Sequence, residues 1–512
     1  MRKLLVILLD ASEAALIEKW TDDGSLPNLG RLRAAGTYAH TRPEVLWMAG
    51  LPWFPFYTGR RYEYFPLPFY LVWDPEKMTL QRPSPGRLSL PVFWRALQEG
   101  GPRAVVIDMP WVPQPEPFNG VEIAGWATHD TIFEEVQTYP PEYRAWIYKV
   151  FGKQIRYDEN SAPMNAREFL RVRDKLCQIT DRVAELSETL LRREAWDLFM
   201  VNFSTPHIAG HKLWDLTNVV GGYTEAQKAE MLDAMRQVYI ACDRAVGRLL
   251  SVAGEDVNVI ALAIHGMQDN ITRNAILPEM LRRVLADEYL EGLPLRKKGW
   301  LPALRSLVPA DWRHAVKSRL PFWIQDQLTV FWRAGQGRWK DKKAVSLPAD
   351  VQGMIRINLK GREAEGVVEP GPEYETLCAE IMEGLRSFLD ADTGEPFIQN
   401  ITRLNADEKG QSTLKLDCYP DLTIDWVQTP ARTHRALFSP KYGTIPWPTP
   451  LRNPEGRSGN HHMEGFIIAA GADIKSGTIK DARMIDLAPT ILALLGQPVP
   501  DEMDGRSLDI IG

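Results

Sequence analysis

Short apolar runs alternate along the chain with longer amphipathic stretches. "KLLVILLD" (3–10), "RAVVIDMP" (103–110), "WDLFMVNFS" (196–204) and "NVIALAIHG" (258–266) are nearly continuous apolar segments of strand length, the pattern of strands covered on both faces. Between them, "LPNLGRLRAAG" (26–36) reads as a helix that stops at Gly36, and residues 166–195 and 226–254 read as long amphipathic helices. That alternation predicts an α/β fold with a central, mostly parallel sheet and helices on both faces. In such sheets, sites form where strands finish at their carboxyl edge. Asp10, the segment "FSTPHIAGH" (203–211) and "AIHG" (263–266) all fall at such ends.

Two regions break the rhythm. Residues 42–74 are crowded with Trp, Phe, Tyr and Pro, and residues 293–340 are basic and Trp-rich. The second is read as a cap-like insertion over the sheet edge, with 1–292 and 341–512 forming the core.

Composition narrows the function. The 512 residues can bury a large core. Lys and Arg number 60 against 66 Asp and Glu, a net charge of −6 that gives no basic field for nucleic acid. "MRKLLVILLDASEAA" imitates a secretory leader, but its apolar run is short and ends at Asp10, so a buried first strand is expected. No apolar stretch of the ~18 residues needed for a membrane span occurs. The scattered cysteines, Cys177, Cys242, Cys378 and Cys418, contain no C-x-x-C pair. A reducing compartment, the cytoplasm, is therefore expected.

Four of the nine histidines fall at ends of elements that should meet at one sheet edge: His207 and His211 in "TPHIAGHKLW", His265, and His461 in "GNHHMEG". The four-residue spacing of the first two lets both rings face one way on a helix. A lone histidine is more often an ordinary hydrogen-bonded residue, and His40, His129, His314 and His434 are given that reading.

Read in order, "ILLDASEAALIEKWTDDGSLPNLGRLRAAGTYAHTRP", "WFPFYTG", "TPHIAGHKLW", "AIHGMQDN", "HHMEGFIIAAGADIKSG" and "MIDLAPTILALLGQPVPDEMDGRSL" resemble the type I phosphodiesterase/nucleotide pyrophosphatase branch of the alkaline phosphatase superfamily. The resemblance spans nearly the whole chain and implies an alkaline phosphatase-like sandwich. It also implies two metals, usually zinc, at the carboxyl edge, with a Ser or Thr alkoxide attacking a phosphoryl or sulfuryl group.

Carried over position by position, the resemblance departs from the family in an ordered way. One metal of the family is held by an Asp and two His; the matching residues here are His207, His211 and His461. The other metal is held by two Asp, one His and the nucleophile; the matching residues are Asp10, Ile264, His265 and Ala49. Ala49 follows from an ungapped match that puts the nucleophile ten residues before Gly59, so the alkoxide position is vacated.

Three imidazoles still make a complete protein shell for one metal with an open position. One divalent metal is therefore expected, with zinc first and iron, copper, manganese, nickel and cobalt compatible with such donors. Bound water would replace the alkoxide, with Asp10 and His265 as general base and acid. The aromatic block is expected to be mostly core, with Trp47, Trp53, Phe54 and Tyr57 as candidates to line a pocket for a bulky or apolar small-molecule substrate. The first expectation is thus a hydrolase of a phosphate, phosphonate, sulfate or related ester. Its alternatives are a repurposed lyase, cyclase or oxidative metalloenzyme acting on a specialised metabolite, and an inactive binding homologue. The sequence gives no oligomeric state.

Overall fold

The computed structural model describes residues 3–42, 52–61, 71–81, 90–97, 100–129, 133–155, 163, 165–286, 324, 341–404, 418–453 and 456–512. Trp47, Ala49 and, apart from Ile324, the expected insertion 293–340 lie outside the described residues.

In chain order, the elements that build the main layer begin with β1 (Lys3–Leu9), α1 (Ala14–Asp22), α2 (Pro27–Ala35), β2 (Thr37–Arg42) and α3 (Trp53–Thr58). Strands β3 (Ala104–Ile107), β4 (Gly120–Ala124) and β5 (Gln137–Tyr139) come next. They are followed by α4 (Ala166–Arg193), β6 (Leu198–Phe203), α5 (Thr205–Leu213), α6 (Glu225–Ala253), β7 (Val257–Ala263) and β8 (Gly266–Asp269).

The sheet runs β2, then the strand Gly465–Ala470, then β7, β1, β6, β3, β4 and β5, with Gly477–Thr478 outside β2. Its centre is parallel: β1 pairs with β6 and β7, and β3 with β6 and β4. Only toward the edges does the direction reverse, at Gly465–Ala470 against β7 and at β5 against β4.

The pleat explains the apolar runs. Leu4, Val6 and Leu8 of β1 face one hydrophobic cluster, and Leu5, Ile7 and Leu9 face another. All six are at most 1% exposed, so a strand in this position has no polar face to show. Helices α1, α2, α4 and α6 cover the second face. The first is covered by α3, the Phe93–Ala96 turn and the helix Leu487–Leu494. The long helices start where sequence chemistry stops competing turns. Asn165 accepts from Glu168 N–H, and Thr224 and Gln227 cap each other reciprocally.

A second sheet, antiparallel, contains β9 (Ala344–Leu347), β10 (Gly353–Ile357), β11 (Ile398–Arg403) and β12 (Leu422–Trp426), ordered β9-β10-β12-β11. It has its own hydrophobic cluster, reaching from Ile276 to Trp447. Strands β13 (Gly459–His462) and β14 (Gly465–Ala470) then return the chain to the main layer, β13 pairing with β8. Among the described residues no helix is long and apolar enough to cross a membrane.

Candidate metal centre

Asp10 is the first residue past β1, and its N–H donates to Phe203 O at 3.1 Å, tying it to the end of β6. The chain turns there through Ala11 at φ 51° and enters α1. Directly after β6 comes α5, carrying His207 and His211 one turn apart on its buried length. A Cβ at Gly210 would sit 2.5 Å from Met267 Cγ, so glycine is what lets α5 lie against β8. In the β8 and β13 ladder Met267 faces His461, which brings the last histidine to the same edge.

The rings of His207, His211 and His461 form a nearly equilateral triangle, with centroids 4.8, 4.9 and 4.9 Å apart. Their donor atoms all lie within 4.8 Å of one another, and all three residues are buried. His211 Nδ1 donates to Gly459 O at 3.0 Å. A carbonyl only accepts, so neutral His211 carries its proton on Nδ1 and presents Nε2 as a lone pair, 3.1 Å from His207 Nε2. His461 Nε2 lies 3.1 Å from Asp350 Oδ2, and its Nδ1 lies 3.3 Å from His265 Nδ1.

Electrostatics keep His207, His211 and His265 unprotonated. Burial, then the neighbouring His129, pushes His207 well below the usual histidine range; burial and Arg457 do the same to His211. Burial and His461 lower His265 to about 3. Burial would raise the Asp350 carboxyl, but Arg457 and His461 more than offset it and hold it well below the carboxylate range. Inward lone pairs on neutral imidazoles repel unless a cation lies between them, so the donor set fits a divalent metal.

A second group adjoins the first. Asp10 Oδ2 is 2.9 Å from His129 Nδ1 and 3.5 Å from His207 Nδ1, and the donor atoms of these three residues also lie within 4.8 Å of one another. Burial raises the Asp10 carboxyl, but His129 and His207 reverse that and hold it well below its usual range. Asp10 Oδ1 has no hydrogen-bond partner among the described residues. A carboxylate oxygen buried in that way is costly without a positive neighbour.

Sequence alone leaves His129 among the ordinary histidines, yet it stands against Asp10. It follows β4 on a loop held by the buried Asp108 carboxylate, which accepts from Trp126 and Ala127 N–H at 2.7 and 2.8 Å. Ser204 Oγ, at the start of α5, accepts from His129 N–H at 3.3 Å. Asp350, between β9 and β10, is likewise absent from the sequence reading.

Four of the other expected positions lie in the hydrophobic core shared with α3. Ile264 is 1% exposed and shares a hydrophobic cluster with Trp53, Phe54 and Tyr57. Those three rings, the expected pocket lining, are packed in that core, and the Tyr57 hydroxyl donates to Pro110 O at 2.6 Å.

The fold aligns over 100% of both chains with human ectonucleotide pyrophosphatase/phosphodiesterase 5, at a TM-score of 0.47 and 12% identity. A stretch of 62 residues is 40% identical to the 2,3-bisphosphoglycerate-independent phosphoglycerate mutase of Salinibacter ruber, and it spans 11% of this chain and 11% of that relative. Residues 4–396 match the family described as type I phosphodiesterase/nucleotide pyrophosphatase. That match takes in Asp10, both histidines of α5 and His265, and the chain belongs to this family of the alkaline phosphatase superfamily.

Proposed function

We propose that the protein is a metal-dependent hydrolase of a phosphate, phosphonate, sulfate or related ester of a small molecule, working without a covalent Ser or Thr intermediate. The observation that carries this reading is the convergence of His207, His211 and His461, buried and with donor atoms within 4.8 Å. These three would hold one divalent ion, zinc by preference. When bound, such an ion polarises an ester oxygen and acidifies water.

The chain's own groups do the rest. Asp10, ionised beside His207, accepts the proton of the attacking water as general base. His265, next to His461, is the acid partner expected from the sequence, but burial lowers it to about 3, so it would offer the departing oxygen a hydrogen bond from a neutral ring rather than a proton from an imidazolium. Ala49, at the family's alkoxide position, offers no attacking atom, which removes the covalent route. The four cysteines are free, in keeping with a cytoplasmic location.

The test is direct. Chain reconstituted in turn with zinc, manganese and cobalt is assayed on aryl phosphate monoesters, diesters and aryl sulfates. Turnover is expected on at least one ester and should vanish on chelation. Full metal occupancy with no turnover on any of them would sink hydrolysis.

Ile264, apolar and buried where the family's second-ion carboxylate stands, favours a second reading, a repurposed lyase, cyclase or oxidative enzyme. Products lacking oxygen from labelled water would support it, and metal analysis finding only zinc would remove its oxidative form.

A further inference from the structure

Each ligating imidazole has two nitrogens, and the one turned away from the cation needs an acceptor to fix the ring and its tautomer. His211 finds Gly459 O at 3.0 Å. His207 Nδ1 stands 3.5 Å from Asp10 Oδ2 without a hydrogen bond to it. For His461 the acceptor is Asp350 Oδ2, at 3.1 Å from Nε2, and it comes from outside the main layer.

Asp350 sits on the connection between β9 and β10 of the antiparallel sheet and is 9% exposed. Its two oxygens divide their work: Oδ1 accepts from Arg457 at 2.7 Å while Oδ2 faces His461. The backbone there is pinned as well, because Asn274 Nδ2 donates to Asp350 O at 2.8 Å. Arg457 precedes His461 by four residues, and its own carbonyl accepts from Asn270 Nδ2 at 2.9 Å. Carboxylate, guanidinium and imidazole are thus fixed from three segments of chain.

We propose that Asp350, braced by Arg457, is a positioning residue that holds His461 Nε2 and so orients the His461 ring toward the cation held by the three histidines. The proposal rests on the three-histidine reading above. It assigns a task to the antiparallel sheet, which otherwise contributes no group to the centre among the described residues. A carboxylate there also raises the basicity of the ring and returns negative charge to a site whose ligands are all neutral.

The experiment uses the full chain stripped of metal and titrated with zinc against a chromophoric chelator, alongside the absorption spectrum of the cobalt(II) form. Asp350→Asn should weaken zinc binding ~10–100-fold, the range for loss of such an outer partner. The number of ions bound should stay unchanged and the cobalt band should shift. Asp350→Glu should recover part of the affinity. If Asp350→Asn folds poorly, because it leaves Arg457 without its carboxylate, the paired variant Asp350→Asn with Arg457→Gln is read instead. Affinity and spectrum equal to wild type overturn the proposal. So does complete loss of the ion from a folded variant, which would make Asp350 a direct ligand. Failure of the wild-type chain to bind zinc sinks the three-histidine reading itself, an outcome separate from either.

Discussion

On the His211 side of the centre two rings have their outer nitrogen answered, His211 by Gly459 O and His461 by Asp350, while His207 Nδ1 stands 3.5 Å from Asp10, and the three donor sets converge. On the side where the family places its second ion, Asp10 keeps its carboxylate, but Ile264 has merged with the hydrophobic cluster under the sheet. Under the proposed function, the contrast is that of a two-ion site that has given up one half. A buried carboxylate is tolerable beside a cation and costly without one, so replacing the acid by an aliphatic chain leaves no stranded charge. An ordered outer shell, by contrast, keeps the other half useful to any ion that enters.

The largest way to break this contrast is at His207, the one residue common to both groups. His207→Ala should lower zinc affinity by more than ~100-fold, since it leaves two of the three ligands of a site that needs at least three, and metal analysis after gel filtration should find little bound ion. Retention of a full equivalent would contradict the ligand set.

Ile264→Asp sharpens the comparison by restoring the family's acid. Without metal it should destabilise the chain by about 3–5 kcal/mol, the scale for an unpaired buried charge, read as a drop in urea midpoint. With excess zinc part of that loss should return and a second equivalent should bind, because ligands that grip only the folded state stabilise it. No second equivalent would mean that more than the acid has been lost.

His129→Ala should spare the three-histidine ion, leaving its stoichiometry intact. It removes the 2.9 Å partner of a buried carboxylate, at about 1–3 kcal/mol of stability. If the first ion is lost as well, the two groups are not separable.

The smallest effect concerns Asp108, which holds the His129 loop. Burial raises its pKa to about 7 despite the backbone N–H bonds it accepts. Because this folded value lies above the unfolded one, the contribution is fully present below about pH 4 and is lost as pH rises through about 7. Wild type should therefore lose thermal stability between pH 5 and 8 through this group, and Asp108→Asn should flatten that slope. An identical slope in both proteins would show the group ionised throughout.

Much of this was legible in the chain itself. The strands around β1 announce themselves because both faces are buried, and the α5 histidines stand out by their helical spacing. Strand β4 escapes the same reading because Glu122 interrupts it, a carboxylate buried only because Arg95 reaches it at 2.8 Å. With β4 missed, nothing placed His129 at the carboxyl edge. Asp350 leaves no local signal at all, since its role depends on how the antiparallel sheet packs against a turn more than a hundred residues later, 107 from Arg457. The apolar character of position 264 and the Ala at 49 are visible in the residues alone, but only in light of the family's pattern.

The ladder that delivers His461 has a consequence for how the protein is made. Gly459 lies 248 residues after His211, and at ~5–20 residues per second a ribosome needs roughly 12–50 s to cover that gap. The α5 histidines therefore leave the ribosome long before their third companion exists. Capture of an ion by all three residues of the proposed centre must wait until the chain has been made past His461.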